Sequence, residues 1–166
     1  MNSAEDEQLF SWLRRYCAYR ERCIREVRQK LQAKGVLGDL AEEQIGLLQQ
    51  AGYLDEERYA RLFAGGHFRQ KQWGRRKIEA ALRSKGVPAP LIRKALAALP
   101  AADYRQTLGR LAEKAWRQYA APSPALRWVK VKASLLRKGF EPELMTDIRQ
   151  RMLAAEKKKG SGGKNC

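Results

Sequence analysis

The sequence predicts an all-α protein made of three tandem three-helix repeats that form an elongated, curved array. Residues that favour helices dominate, namely Leu, Ala, Arg, Lys, Glu and Gln, and sustained alternation of β-branched and polar residues is missing. The pattern apolar-x-x-x-Leu-x-x-Lys-Gly-apolar occurs three times, with its glycine at Gly35, Gly86 and Gly139. Each repeat is therefore about fifty residues long, which indicates duplication of one helical unit.

The Lys-Gly pattern predicts the middle helix of each repeat and its end. Each copy places two apolar residues four positions apart on one helical face, and these pairs are Val27 with Leu31, Ile78 with Leu82, and Val131 with Leu135. A glycine directly after the last turn adopts the left-handed conformation easily, and the preceding lysine meets the negative end of the helix dipole. The Lys-Gly pairs are therefore interpreted first as helix stops.

A first helix precedes each middle helix and a third helix follows it. The first helices carry Trp12, Phe63 and Trp116, and the third helices show apolar residues at i, i+4 and i+8. Asp39 with Glu42 resembles a capping box, and Pro90 and Pro142 stand where a first-turn proline is tolerated. Ser123 and Pro124 are predicted to begin the middle helix of the third repeat, as N-cap and first helical residue.

The predicted boundaries divide the chain into four segments. The repeats span residues 1–52, 53–102 and 103–155, and residues 156–166 form a basic tail that lacks apolar residues and is expected to be disordered. A three-helix bundle of about fifty residues has a marginal core, so neighbouring repeats are expected to stack.

Charge points to an anionic partner. Lys and Arg number 34 against 18 Asp and Glu, which gives a net charge of +16 and an estimated pI of 10.2. Such a field favours nucleic acid or a partner bound to nucleic acid, while an anionic membrane or an acidic protein stays open. The N-terminus is acidic and no apolar run could cross a bilayer, so a cytoplasmic protein is expected.

The middle helices carry most of this charge. If the repeats stack, their cations would join into one basic stripe that neutralises phosphates without reading base sequence. The stripe is predicted to contain Arg25, Arg28, Lys30, Lys34, Arg69, Lys71, Arg75, Arg76, Lys77, Arg83, Lys85, Lys130, Lys132, Arg137 and Lys138. Arg75, Arg76 and Lys77 are expected on the solvent face, and Trp73 and Trp128 either stack on bases or fill the core.

Patterns typical of catalysis or metal binding are missing from the sequence. His67 is the only histidine, and no nucleophile motif accompanies it. Cys17, Cys23 and Cys166 form no CxxC pair, and their odd number cannot close entirely into internal disulfides. No catalytic residue, metal site or cofactor is therefore predicted.

The central repeat contains Gly52-Tyr-Leu-Asp-Glu-Glu-Arg-Tyr-Ala-Arg-Leu-Phe63 followed by Trp73-Gly-Arg-Arg-Lys-Ile-Glu-Ala-Ala-Leu-Arg-Ser-Lys-Gly-Val87. These segments closely resemble the central repeat of the RecX family. The resemblance covers most of residues 9 to 153 and is weakest in the third repeat. Arg75, Cys23 and Ala81 depart from the family pattern at positions outside the predicted core. The family-motif residues are interpreted as structural, and they are Gly52, Tyr53, Leu54, Asp55, Tyr59, Phe63, Gly74, Ile78, Leu82 and Gly86.

The resemblance implies a regulator of the RecA recombinase. Proteins of this kind bind the groove of the RecA–DNA filament and inhibit its ATPase, strand exchange and co-protease activities. A monomeric non-enzyme is implied, with weak, non-specific binding to single- and double-stranded DNA. The alternative is a stand-alone, non-sequence-specific DNA-binding or architectural protein, which the same charge would support.

Overall fold

The structure is a computed structural model that describes residues 3–162. Over these residues the chain forms nine α-helices and one short 3₁₀ turn without any β-strand, so the predicted all-α class is confirmed. The helices are α1 Ser3–Tyr19, α2 Ile24–Ala33, α3 Gly38–Gln50, α4 Glu56–Lys71, α5 Arg75–Ser84, α6 Ala89–Ala97, α7 Ala101–Gln118, α8 Pro124–Arg137 and α9 Thr146–Gly162, with the 3₁₀ turn at Pro142–Met145. Their order gives three helices to each predicted repeat.

The first compact unit comprises residues 1–63 and 80–96. Helices α1 and α2 both pack on α3, and their facing apolar residues make one core. That core consists of Leu13, Cys17, Val27, Leu31, Ala41, Ile45, Leu48 and Leu54. Burial raises the pKa of both Cys17 and Cys23, so these thiols are held in the neutral form at neutral pH.

The second compact unit comprises residues 64–79 and 97–166. Helix α8 packs along α7 and also contacts α9 and the 3₁₀ turn. Tyr104 and Phe140 are fully buried, with their ring centroids 5.1 Å apart, and Phe68 lies on the other side of Tyr104 at 5.7 Å. Helices α4 and α5 each contribute residues to both units, since the division falls after residue 63 in α4 and after residue 79 in α5. The repeat boundaries at residues 52, 102 and 155 and the curved array stay predictions.

The Lys-Gly pairs end the middle helices as predicted. Gly35, Gly86 and Gly139 have φ values of 80°, 76° and 92°, in the region where a side chain would be strained. The residue after each glycine donates its backbone N–H to the carbonyl five positions earlier, at 3.0 to 3.2 Å. This is the hydrogen bond of a Schellman motif, and it satisfies a carbonyl that the helix end leaves without a partner.

The predicted start of α8 has the expected hydrogen bond, and a second side-chain cap occurs at the start of α4. Ser123 Oγ accepts from Leu126 N at 3.2 Å, and Pro124 is the first residue of α8. Asp55 Oδ1 accepts from Arg58 N at 3.0 Å at the start of α4. The prediction of a capping box at Asp39 is wrong, because α3 begins at Gly38 with Leu37 as its N-cap. Asp39 instead lies in the first turn, where a carboxylate is favoured by the helix dipole.

The expected disorder after residue 155 is contradicted as far as Gly162, because α9 continues to that residue. Glu156 connects this end of α9 to the second unit. It accepts from Trp116 Nε1 at 3.3 Å and lies 3.9 Å from Arg127 Nη1. These contacts hold Glu156, the first residue of the segment, whereas residues 157–162 continue the helix with exposed side chains, and the rest of the predicted tail lies outside the described residues.

We expect Leu82→Ala to lower the free energy of unfolding by about 2–5 kcal/mol, because this side chain is fully buried and its removal leaves a cavity. Leu62→Ala is the matched control, since Leu62 is an exposed leucine on α4 and its loss should change stability by less than about 0.5 kcal/mol. Urea unfolding followed by circular dichroism measures both values. Equal losses for the two variants would contradict the assignment of Leu82 to the core.

Candidate nucleic-acid interface

The start of α5 is hydrogen-bonded to the end of α8. Gly74 N donates to Lys138 O at 2.7 Å, and Arg76 N donates to Gly139 O at 3.0 Å. The first N–H groups and last C=O groups of helices have no partner within their own helix, so each end here satisfies the other. The positive dipole end of α5 also meets the negative end of α8. We call this contact the α5–α8 junction.

Tyr104 completes the α5–α8 junction from α7. Its hydroxyl accepts from Arg75 N at 2.9 Å and donates to Glu141 Oε1 at 2.5 Å. Burial raises the pKa of Tyr104, and its hydrogen bond to Glu141 adds to that effect. The Arg75 guanidinium lies 3.8 Å from the centre of the Tyr104 ring and 3.1 Å from Glu141 Oε2. The expectation that Arg75 lies on the solvent face is therefore wrong, because its charge is used inside the second unit.

Two glycines allow the backbones to approach this closely. A Cβ atom on Gly74 would collide with the backbone of Gly139, and one on Gly139 would collide with Lys77. There is a second reason why Gly139 must lack a side chain, because its backbone φ is also positive. Gly74, which follows Trp73, and Gly139 of the last Lys-Gly pair thus lie in close backbone contact.

The first unit contains a similar contact between the start of α2 and the end of α5. Cys23 Sγ lies 3.6 Å from Lys85 O, and the Arg25 guanidinium donates to Ser84 O and rests against Gly86. Glu26 accepts from Cys23 N at 3.0 Å and lies 3.9 Å from Lys85 Nζ. In both units, the start of one middle helix therefore meets the Lys-Gly end of the following middle helix.

A basic groove in the second unit lies beside the α5–α8 junction. It encloses about 340 Å³ between α5, α7 and α8. Its cations are Lys77, Lys114, Arg137 and Lys138, its polar residues are Gln72, Gln118, Tyr119 and Ser134, and its apolar residues are Leu111, Ala115 and Leu135. None of these lining residues, all within the described chain, is acidic. The basic groove therefore concentrates positive potential, as a site for phosphate groups requires.

Trp73 stands next to the basic groove. The ammonium groups of Lys71 and Lys77 lie 5.2 and 4.7 Å from the centre of its ring, and the His67 ring lies at 4.7 Å, tilted by 40° to the indole. This indole is half-buried and has two lysine ammonium groups over its ring. A nucleobase could stack on the ring in place of one of these ammonium groups. Trp128, by contrast, is buried in the core of the second unit.

Several predicted stripe cations lie in other surroundings. Arg28 pairs with Glu42 at 2.8 Å, and Arg76 lies 3.7 Å from Glu143. Arg69, Arg83, Lys130 and Lys132 are exposed, and Lys130 donates to a loop carbonyl at 2.7 Å. Of the predicted cations, only Lys77, Arg137 and Lys138 therefore line the basic groove, and a single stripe through all three repeats stays a prediction.

Lys30 and Lys34 lie over aromatic rings of α1. Lys34 Nζ is 4.9 Å from the centre of the Trp12 ring, and Lys30 Nζ is 5.2 Å from that of Tyr16. Both lysines are exposed, so these contacts orient the charges without removing them from solvent.

Lys114, Tyr119 and Gln72 line the basic groove but were not predicted from the sequence. Lys114 and Tyr119 belong to α7 and the segment that follows it, outside the middle helices on which the predicted stripe is based. A signal existed in α7, because Lys114 shares a face with Leu111, Ala115 and Gln118 at helical spacing. Gln72 gives no such signal, since its positive φ of 56° is unusual for a residue other than glycine.

Within residues 3–162 the side chains bring together no group of His, Cys, Asp and Glu that could hold a metal ion. Over the same residues, no helix has the length and apolar character needed to span a bilayer. The basic groove offers positive charge and hydrogen-bond donors.

These features define an all-helical protein of three-helix units that carries a basic groove suited to polyanions. Models of the three-helix domains of RecX match in order: the first at residues 14–46, the second at 55–96 and the third at 103–148. The chain belongs to the RecX family.

Curated relatives support this assignment. The chain is 32% identical over 133 residues to "Regulatory protein RecX" of Geobacillus thermodenitrificans, which covers 80% of this chain and 49% of that protein. It is 27% identical over 141 residues to "Regulatory protein RecX" of Oceanobacillus iheyensis, covering 85% and 52%. The chain thus spans about half the length of these relatives.

Solved structures share the fold. The crystal structure of RecX from Lactobacillus salivarius matches with a TM-score of 0.83 at 25% identity, over 90% of this chain and 97% of that one. Another crystal structure of regulatory protein RecX matches with a TM-score of 0.79 at 23% identity, over 87% and 71% of the two chains. The helical architecture is therefore that of solved RecX structures.

We expect Gly74→Ala to destabilise the protein by about 1–3 kcal/mol, because the new methyl group would overlap backbone atoms that cannot rotate away. Gly109→Ala is the control. It lies inside α7 with nothing within 4 Å of the added carbon, so the same change should raise stability by about 0.5–1 kcal/mol. Thermal and urea unfolding measure both. A Gly74→Ala variant as stable as the parent would disprove the close approach at the α5–α8 junction.

We expect the double variant Lys77→Gln, Lys114→Gln to bind single-stranded DNA more weakly and with a shallower salt dependence. Loss of two phosphate contacts should reduce the slope of log affinity against log salt by about 1.4. The control, Lys157→Gln with Lys158→Gln, removes the same net charge from exposed positions outside the basic groove. Fluorescence anisotropy at several salt concentrations compares them. Identical slopes for the two double variants would exclude the basic groove as the DNA site.

Proposed function

We propose that this protein binds the RecA–DNA filament and mainly inhibits its ATPase, strand exchange and co-protease activities. It would act in the cytoplasm as a monomeric negative regulator of recombination, DNA repair and the SOS response. The observation that supports this proposal best is the basic groove, free of acidic lining residues, in a chain of the RecX family. No catalytic step is part of the proposal.

The basic groove would contact the filament through its phosphates. Lysine ammonium groups act as point charges, while the guanidinium of Arg137 can hold a phosphate with two parallel hydrogen bonds. Neither type of contact reads base edges, so binding would be independent of sequence. Release of counterions from the DNA would supply much of the affinity and make it strongly dependent on salt.

Trp73 would add a contact that favours single strands. Its ring lies beside Lys77, which also lines the basic groove, so a nucleotide whose phosphate binds Lys77 would have its base close to the indole. Stacking on tryptophan is tolerant of base identity and needs unpaired bases. The DNA held in a recombinase filament would satisfy that requirement where its bases are accessible.

A second candidate function is favoured by the same groove. A stand-alone, non-sequence-specific DNA-binding protein needs only phosphate contacts, and the basic groove can supply them without a protein partner. The two functions differ in the stoichiometry at which they act. A regulator acts on protomers of a filament, whereas a simple competitor must cover the DNA.

ATP hydrolysis by RecA on single-stranded DNA tests the proposed function. We expect inhibition when the protein is well below the concentration of RecA protomers and far below saturation of the DNA. The double variant of Lys77 and Lys114 serves as the matched comparison and should require a higher concentration. Absence of any effect until the DNA is coated would favour the stand-alone DNA-binding function instead.

A further inference from the structure

Helix α8 has two apolar faces, and only one of them is buried. Trp128, Val131 and Leu135 belong to the core of the second unit. On the outer side Leu126, Val129 and Leu136 are 52%, 60% and 40% exposed. Large aliphatic side chains at this exposure are normal when scattered, but three on one short helix form a patch that calls for an occupant.

The exposed Leu126, Val129 and Leu136, together with the half-buried Ala133, follow a heptad pattern. Leu126, Val129, Ala133 and Leu136 stand at i, i+3, i+7 and i+10, the spacing of the a and d positions of a coiled coil. At about 100° per residue they occupy roughly a quarter of the circumference of the helix. We call these four residues the α8 seam. It covers three turns of helix, enough for one short partner helix to lie along it.

Three of the four e and g positions that flank the α8 seam are cationic, and the fourth is Ala125. Lys130 and Arg137 fall at the e positions and Lys132 at a g position, and α8 contains no acidic residue. The Lys130 and Arg137 side chains make hydrogen bonds to Ala120 O and to the Tyr119 hydroxyl, which are neutral acceptors, so both keep their charge available. In coiled coils the e and g charges select the partner.

We propose that the α8 seam binds an acidic amphipathic helix of a protein partner, with Leu or Ile against Leu126, Val129 and Leu136 and with Glu or Asp facing the flanking cations. A second copy of this chain would set cation against cation at the e and g positions and would add to a net charge of +16. A complementary acidic helix removes that repulsion. Within the proposed function, the α8 seam would serve a protein component and the basic groove the DNA.

A designed peptide tests the α8 seam without RecA or DNA. The probe is a fluorescein-labelled helix of three heptads with Leu at a and d and Glu at e and g, and the comparison peptide has the same composition in scrambled order. Fluorescence anisotropy at physiological salt should show binding of the probe at least about tenfold tighter than the scrambled peptide. Equal affinities would mean that charge alone attracts the peptide, and the proposal would be overturned.

The protein variant Val129→Ser, Leu136→Ser removes apolar contact without changing charge or touching the core. We expect about a tenfold loss of affinity for the probe, whereas Leu62→Ser, on an exposed leucine of α4, should bind like the parent. Both variants should bind single-stranded DNA normally, which separates this result from the proposed function. Unchanged probe binding by the double variant would refute the proposal.

Two further measurements test whether a second copy of this chain or a membrane surface occupies the α8 seam instead. In sedimentation equilibrium, we expect the parent and the Val129→Ser, Leu136→Ser variant to show the same association state. We also expect phosphatidylserine vesicles to bind the parent and that variant equally. A dimer that depends on Val129 and Leu136 would assign the α8 seam to a second copy. Vesicle binding lost only in the variant would assign it to a membrane surface, and either result would overturn the acidic-helix proposal.

Discussion

The structure depends on the contact between the start of one middle helix and the Lys-Gly end of the following one. At the α5–α8 junction, Gly74 and Arg76 donate to the carbonyls of Lys138 and Gly139, while Tyr104 accepts from Arg75. Each of these groups would otherwise be a polar atom left without a partner near a buried interface, at a cost of about 1–3 kcal/mol. The alignment of the two helix dipoles acts in the same direction. The junction thereby fixes where Lys77 stands relative to the end of α8.

The same contact divides the cations into two groups with different roles. Arg25, Lys85 and Arg75 lie at the two junctions, and Glu26 or Glu141 accompanies each contact. The cations of the basic groove have no acidic side chain among the lining residues. A large net positive charge therefore does not translate into a uniformly basic surface, because some of the cations are paired with acidic residues where helices join. What remains available to a polyanion is set by the packing.

Whether the sequence could predict a feature depends on how far apart in sequence the interacting residues are. Helix stops at Lys-Gly pairs and the start at Ser123 depend on neighbours within a turn, and the local pattern is sufficient for them. The position of Arg75 depends on Tyr104 and Glu141, which are distant in sequence, so the periodicity of its own helix could not reveal it. Lys114 joins the basic groove because α7 packs against α8, although the periodicity of α7 does place Lys114 on one face with Leu111 and Ala115. The contacts of Glu156 with Trp116 of α7 and Arg127 of α8 also join residues that are distant in sequence, so the composition of the tail does not indicate them.

Helix α8 contributes to four surfaces, and Arg137 lies where the basic groove and the α8 seam meet. Its buried face belongs to the core, its Lys-Gly end receives α5, and Arg137 both lines the basic groove and flanks the α8 seam. A phosphate in the groove and a carboxylate on a helix in the seam would therefore compete for one guanidinium. Competition of this kind is a coupling free energy, and by linkage each ligand must weaken the other by the same factor. A protein partner on α8 would thus lower affinity for DNA without covering Lys77 or Lys114.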